Sequence, residues 1–382
     1  MKIAILGLGT VGFGVYDIIN KSEYLNDVEV KYVLDKDLTK QELVYGVTTV
    51  TDNYQDIIND EEIKVVVETM GAKGFSYECI KKALESKKSV VTANKEVIAE
   101  HIAELTEIKN KNNVCLYYEA SVGGGIPIIN PLFQASKVNE IDSINGILNG
   151  TTNFILTKMS LENFDFNDAL KLAQEKGFAE ADPTADLEGL DMVRKIAILS
   201  SIAYHGEIDL SKVYHFGIAN VKKIDIDFLK KKNYILKFVA SSTKKDNIIS
   251  LAVEPNVLDC NNVISMTNNE FNIVSVDCNY NGQLMFYGKG AGRYPTANAI
   301  VNDLMMVIEN GQKGNYTFDN KHSYEFKESD ELNQYYIRFS DGVEIPTDIV
   351  LEQENNLVIT KKIMRSEFLK YINILDFYGK IN

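Results

Sequence analysis

The chain has 382 residues, enough for two or three domains with full cores, and its 45% hydrophobic and 25% charged residues are those of an ordinary globular protein. A net charge of −14 with no compensating lysine or arginine cluster excludes a nucleic-acid partner, because phosphate binding needs a basic surface. Cys79, Cys115, Cys260 and Cys278 are widely spaced without a CxxC, and His101, His205, His215 and His322 form no pair at metal-ligand spacing, which argues against a zinc site or a disulfide framework.

The N-terminal MKIAILGLG is too short an apolar run for a signal peptide or a membrane span, and no later run reaches membrane length, so a cytoplasmic chain with no membrane partner is expected. Residues 2 to 6, KIAIL, read as a buried strand leading into GLGTVG. At a strand-to-helix turn this pattern points to dinucleotide binding rather than a bare structural turn. Gly7 permits the tight turn, Gly9 lets a pyrophosphate approach the backbone, Gly12 lets helix and strand pack, and the helix N-terminus supplies N–H donors. Strands at 28–34, 64–70, 89–93 and 114–120 alternate with helices near 53–60, 75–86 and 95–112, which implies a parallel sheet covered on both faces. The second strand ends in Leu34-Asp35-Lys36. An acidic residue there holds the adenine ribose hydroxyls of NAD, whereas a cation accommodates the extra phosphate of NADP. With both present, coenzyme choice stays open.

Ligands of such sheets bind at the carboxyl ends of the strands, which gives Thr69 and Gly71 of ETMG and Lys95 of TANK a route to coenzyme or substrate. A lysine opening a helix opposes the dipole, so Lys95 reads as functional sooner than as a surface residue. Glu119 to Pro127, EASVGGGIP, is either a flexible crossing between domains or a nest of carbonyls and one carboxylate around a hard cation.

From about residue 130 the pattern changes. INGILNGTTNFILTKM, at 144–159, reads as strand, turn and helix start, with Asn149, Thr151 or Thr152 available as caps. A helix at about 165–176 stops at Gly177, and GFAEADPTADLEGLDMVRK then runs into the apolar IAILSSIAY. Asp191 and Lys195 share one helix face with Ile198, Leu199 and Ile202, so the charged pair heads an apolar stripe. In a partly dry cleft such a lysine is a candidate proton donor to a substrate oxygen; a salt bridge at a helix start is the alternative. Strands near 234–242, 248–254, 271–278 and 283–287, the last ones without helices between them, suggest a more antiparallel sheet with helices on one side. Gly288 to Gly292, GKGAG, precedes a helix at about 295–310 and serves either close ligand approach or a plain turn. Residues 311–382 hold two strand candidates, YYIRF and NLVITKK, and one amphipathic helix, RSEFLKYINILDFY.

GLGTVG, TANK, YEASVGGGIP, GILNGTTNFIL, GFAEADPTADLEGLDMVRK and GKGAGRYPTANAIVNDL occur in this order over roughly residues 1–310, and on these motifs the chain resembles homoserine dehydrogenase. The resemblance implies reversible, NAD- or NADP-dependent interconversion of L-aspartate 4-semialdehyde and L-homoserine, a step toward threonine and methionine. It implies an α/β fold: a Rossmann dinucleotide-binding domain over 1–130 completed by 290–310, an α+β substrate-binding and dimerisation domain over 131–289, and a small C-terminal appendage over 311–382. Carried over by position, Lys195 is the proton donor and Asp191 its neighbour that also helps hold substrate. Glu180 binds the substrate amino group, Asp186 supports that site, and Lys95 stands near both coenzyme and substrate as a third catalytic candidate. Gly7, Leu8, Gly9, Thr10, Val11 and Gly12 form the coenzyme turn, with Lys36, Thr69, Gly71, Gly177 and Gly292 as further coenzyme contacts. Glu119, Val122, Gly124 and Ile126 match a monovalent cation site for Na+ or K+. Family members pair through the sheet of the substrate domain, so a homodimer is expected. Bacterial members often end in a threonine-sensing ACT domain of about four strands; with two good strands visible, the tail reads as at most a reduced ACT-like element without threonine feedback. A different two-domain oxidoreductase and a dinucleotide sensor without catalysis are the competing readings.

Overall fold

The computed structural model describes residues 1–382 except 72, 312–315, 317, 319, 321 and 341, with the backbone alone for residue 73. The chain divides into two compact units, Met1–Val138 with Ile198–Ile208 and Gly288–Ser323, and Asn139–Ala197 with Asp209–Tyr287 and Tyr324–Asn382.

In the first unit β1 (Lys2–Leu6), α1 (Thr10–Lys21), β2 (Glu29–Leu34), β3 (Thr49–Thr51), α2 (Tyr54–Ile58), β4 (Ile63–Glu68), α3 (Lys73–Glu85), β5 (Ser89–Thr92), α4 (Lys95–Asn112), β6 (Leu116–Tyr117) and α5 (Ile129–Ser136) follow in turn. All pairs in the sheet are parallel, in the order β3-β2-β1-β4-β5-β6. Continuous apolar runs form these strands because helices cover both faces; Ile3, Ile5, Val65, Val67, Val90 and Val91 are essentially inaccessible to water. Strand order reverses beside β1, between β2 and β4, which is where such sheets open a crevice for a ligand. The strand expected over 114–120 shrinks to Leu116–Tyr117. Its continuation is drawn into a 3-10 turn, Glu119–Ser121, where the Glu119 N–H donates to the buried Asp303 carboxylate at 2.8 Å. Because α5 also belongs to this unit, its first segment runs to Val138 rather than to the expected residue 130.

The second unit holds β7 (Ile141–Ile147), α6 (Gly150–Glu162), α7 (Phe166–Glu175), α8 (Thr184–Leu187) and the start of α9 (Leu190–Tyr204), then β8 (Tyr214–His215), α10 (Lys223–Lys230), β9 (Tyr234–Lys245), β10 (Ile248–Asp259), β11 (Phe271–Cys278) and β12 (Gly282–Lys289). Its main strands run β12-β11-β7-β9-β10, and the β11–β7, β7–β9 and β9–β10 pairs are antiparallel. Gly288 begins the return of the chain to the first unit, whose last helix is α11 (Arg293–Asn310).

The tail departs from the expected appendage. Strands Leu332–Phe339, Val350–Glu354, Leu357–Thr360 and Leu375–Ile381 continue the second sheet beyond β10, with Asn256 and Val257 of β10 paired in parallel to Lys380 and Ile381. Numbered along the tail, the four lie in the order 4-1-3-2. The helix expected over RSEFLKYINILDFY stops after Arg365–Phe368, and LDFYGKI is a strand. Tertiary pairing overrides its helical periodicity, since Leu375, Phe377 and Tyr378 pair with Leu332–Phe339 and the same strand runs on at Lys380 and Ile381 to pair with β10. Buried charge fixes the join: Arg365 donates to both Glu254 carboxylate oxygens at 3.0 and 3.1 Å, and Arg338 donates to Asp225 at 2.8 Å.

Candidate functional site

In the first unit GLGTVG makes the turn between β1 and α1. Gly7 has φ +90°, in the left-handed region that favours glycine, and a Cβ on Gly12 would sit 1.9 Å from the Gly7 carbonyl oxygen and 2.6 Å from Thr69 Oγ1. Thr69 Oγ1 closes the contact by donating toward the carbonyls of Leu6 (3.0 Å) and Gly7 (2.9 Å). A Cβ on Gly9 would meet nothing within 4 Å, and no side chain caps α1 there. The first N–H groups of α1 (Thr10, Val11 and Gly12) are therefore left for an anion at an open backbone, which fits a pyrophosphate. A cavity of about 620 Å³ beside this turn is lined by Gly7, Gly9, Asp35, Lys36, Lys40 and Thr69, among others. Asp35 Oδ2 accepts from Leu8 N at 2.9 Å and from Lys40 Nζ at 2.7 Å, while its Oδ1 accepts from Asp37 N at 3.1 Å. Burial pushes the Asp35 carboxyl up, but the Lys40 ammonium and the two backbone donors outweigh it and hold it below the usual carboxylate range. Gly71 lies exposed after β4, Lys95 opens α4 behind the cap Asn94, and Gly292 precedes α11.

In the second unit Lys195 and Asp191 lie one turn apart at the start of α9, with Nζ to Oδ2 at 2.7 Å and side chains only 12% and 9% exposed. The stripe they head is buried, Ile198, Leu199 and Ile202 being at most 1% exposed. Lys195 Nζ also donates to the Leu148 carbonyl at 2.8 Å, so two of its three N–H bonds are fixed and the third has no partner among the described residues. Asn149, at the cap of α6, organises the carboxylates: its Nδ2 donates to Asp186 Oδ1 at 2.8 Å and to Asp191 Oδ2 at 2.9 Å, and its Oδ1 accepts from Thr152 N at 2.9 Å. Asp186, Asp191 and Lys195 thus form one cluster. Glu180 and Gly177 stand apart on the exposed loop after α7, whose course is pinned by Thr151 Oγ1 donating to the Phe178 carbonyl at 2.6 Å. A lysine so held, with a carboxylate behind it and one N–H left over, can pass a proton to or from a ligand oxygen.

The family model "Homoserine dehydrogenase" matches residues 127–305, and "Homoserine dehydrogenase, NAD binding domain" matches residues 7–119. A homoserine dehydrogenase of Bacillus subtilis is 40% identical over 82% of this chain and 74% of its own length. The chain belongs to the homoserine dehydrogenase family. Another member, from Helicobacter pylori, is 33% identical over 97% of this chain and 91% of its own, so the likeness extends into the tail. The crystal structure of a homoserine dehydrogenase from Thiobacillus denitrificans superposes with a TM-score of 0.89, at 28% identity, covering 100% of this chain and 98% of the other. The protein is accordingly an oxidoreductase with an NAD(P)-binding Rossmann domain and a mixed-sheet catalytic domain.

The family resemblance also led to EASVGGGIP, and here the geometry changes one role. Both oxygens of the Glu119 carboxylate are taken, by the N–H groups of Ile128 (2.7 Å), Ile129 (2.7 Å) and Asn130 (2.8 Å) at the start of α5 and by Tyr316 OH (3.2 Å). Burial pushes this carboxyl up against the pull of those donors, and burial also drives Asp303 far above its ordinary value. The acidic side chain expected to face a cation is therefore a helix cap in a buried network. The carbonyls of Val122, Gly124 and Ile126 accept no hydrogen bond among the described residues and remain the oxygen donors of the loop. Gly124 has φ +56°, and a Cβ there would lie 2.4 Å from the Gly290 carbonyl oxygen, so the GGG and GKGAG segments need glycine to meet. Among the described residues no group of three His, Cys, Asp or Glu could hold a metal ion, and no helix is long and apolar enough to cross a membrane.

Three features escaped the sequence. Asn149 was visible only as a cap, although its place in GILNGTTNFIL signals a shared function; Lys40 had no motif; and the pairing of Glu119 with Asp303 joins residues far apart in the chain.

Proposed function

We propose that the protein catalyses the reversible NAD(P)-dependent interconversion of L-aspartate 4-semialdehyde and L-homoserine, in the cytoplasm, on the route to threonine and methionine. The observation that carries this reading is the Lys195 ammonium, fixed by Leu148 O and Asp191 with one N–H unused. The nicotinamide supplies or accepts the hydride. Lys195 gives a proton to the aldehyde oxygen in the reducing direction and recovers it in the other, while Asp191, 2.7 Å from its Nζ, orients it. Asn149 holds Asp186 and Asp191 at one place, and Glu180, an exposed carboxylate, is suited to a substrate ammonium group. The α1 N-terminus and the open backbone of Gly9 suit the coenzyme pyrophosphate, with Thr69, Gly71, Lys95, Gly177 and Gly292 as further contacts. Val122, Gly124 and Ile126 carbonyls suit a monovalent cation better than the occupied Glu119 carboxylate does. The 4-1-3-2 order of the tail supports reading it as a reduced ACT-like element, and the broad antiparallel sheet of the second unit supports a homodimer formed through it.

The test is homoserine-dependent reduction of NAD and NADP followed by absorbance, on the natural protein and on Lys195→Ala and Lys195→Arg. The expected loss of kcat on Lys195→Ala is ~10² to 10⁴-fold with coenzyme affinity retained, since that is the range of general acid–base catalysis. Absence of homoserine-dependent activity in the natural protein, or an unimpaired Lys195→Ala, would overturn the reading.

A further inference from the structure

The pairing of Asp35 with Lys40 bears on which nicotinamide coenzyme is preferred. An aspartate at the end of the second strand selects NAD when its carboxylate is free to accept from the adenosine ribose hydroxyls. Here that carboxylate is largely committed. Oδ2 already accepts two donors, Leu8 N at 2.9 Å and Lys40 Nζ at 2.7 Å, and Oδ1 accepts Asp37 N at 3.1 Å. A carboxylate has about four lone-pair positions, so about one is left, too few to chelate two hydroxyls. Its charge is also compensated at contact, the two side chains being 12% and 26% exposed. The Lys40 ammonium spends one N–H on Asp35 and keeps others for a further acceptor. Lys36 stands exposed on the same cavity and forms no ion pair among the described residues. The cavity's other carboxylate, Asp52, is exposed and forms no ion pair with either lysine.

We infer that Lys40 is the discriminating residue: by occupying Asp35 it disables the NAD-selecting carboxylate, and together with Lys36 it presents two cations to the 2′-phosphate, so that the chain prefers NADP(H). Asp35 then serves as a tie between the glycine turn, through Leu8 N, and the short helix that carries Lys40. The inference rests on the reading that this cavity holds the adenosine end of the coenzyme.

The test is fluorescence titration of NADPH and NADH into the full chain, with thermal melts to verify folding. The natural protein is expected to bind NADPH more tightly than NADH. Lys40→Met should weaken NADPH about tenfold, the cost of one charge-assisted phosphate contact, and should tighten NADH because Asp35 is released. Lys36→Met should weaken NADPH and leave NADH unchanged. Opposite signs for the two coenzymes in Lys40→Met are what a merely structural lysine would not produce. Equal weakening of both, no change in either, or tighter NADH than NADPH in the natural protein would overturn the inference while leaving coenzyme binding intact. Failure of the natural protein to bind either coenzyme would instead remove the reading on which it rests.

Discussion

Asn149→Asp isolates the bridging amide from its other duty. Aspartate caps a helix as well as asparagine does, so the bond from Thr152 N at the start of α6 is retained. What changes is the Nδ2 donor. A carboxylate oxygen takes the place of a nitrogen that lies 2.8 Å from Asp186 Oδ1 and 2.9 Å from Asp191 Oδ2. The site is dry, Asn149 being 4% exposed, so the repulsion is poorly screened. Two like charges ~4 Å apart interact with ~4 kcal/mol at an effective dielectric of ~20, and hydrogen bonds to charged groups contribute ~1.5–3 kcal/mol each. Lys195 offsets part of this, and the new acid can escape the rest by keeping its proton, so a net loss of about 3 kcal/mol at pH 8 is expected. The pH dependence has a definite sign. Repulsion raises the folded-state pKa of the new carboxyl above its unfolded value near ~3.9, so the penalty is absent below that value and complete above the raised one. Urea unfolding at pH 4 and pH 8 should show the difference between mutant and natural protein widening with pH. Homoserine oxidation should fall about tenfold or more, because the new carboxylate displaces Asp191 and with it the carboxylate that orients Lys195. A mutant whose stability difference is the same at both pH values, with undiminished activity, would refute the bridging role.

Two further perturbations follow from the first unit. Gly12→Ala forces a Cβ to within 1.9 Å of the Gly7 carbonyl oxygen, so the turn must open; we expect a loss of at least ~1–3 kcal/mol in a melt and loss of NADH and NADPH fluorescence binding, and unchanged coenzyme affinity would disprove the close packing. Lys109 is 1% exposed with no partner for its ammonium among the described residues, and burial pushes its pKa down to about 8. A base with a depressed folded pKa destabilises the fold when charged, so Lys109→Met should stabilise by about 3 kcal/mol near pH 7, a gain that shrinks above pH 8 and is gone by about pH 10.5. Denaturant titrations across that range would show it, and a gain independent of pH would point to packing alone.

How far these residues were legible differs by the distance over which each interaction acts. The parallel sheet followed from short apolar runs at regular spacing, because a strand buried on both faces must be apolar throughout. GLGTVG was legible for the same local reason: a glycine at position 12 is demanded by a carbonyl only five residues away. Asp191 and Lys195 could be paired because helical geometry makes residues four apart neighbours. Nothing local told that Asn149, 37 residues before Asp186 and 42 before Asp191, would span the two, since an asparagine before a helix is fully explained as a cap. Glu119 is the reverse case, a side chain whose partners lie too far along the chain to be read. Nothing local shows that the start of α5 brings three N–H groups onto its carboxylate.

The tail gives the sharpest case, because its sequence carried a real signal that the fold overrode. RSEFLKYINILDFY has helical periodicity, yet Leu375–Ile381 is a strand with β10 on one side and Leu332–Phe339 on the other. Helical preference over such a segment is worth a few tenths of a kcal/mol per residue. Against it stand the ladder with Leu332–Phe339 along the whole strand, the pairing of Lys380 and Ile381 with β10, and the buried Tyr378, which donates to Glu254 at 2.6 Å, the same carboxylate that accepts both bonds from Arg365 Nη1. Glu254 on β10 thus receives two tail residues flanking the very segment whose periodicity was misleading, and a carboxylate with so little water needs both. The tail is therefore an integral part of the second sheet, and its strands are held by charge that only the completed fold brings together.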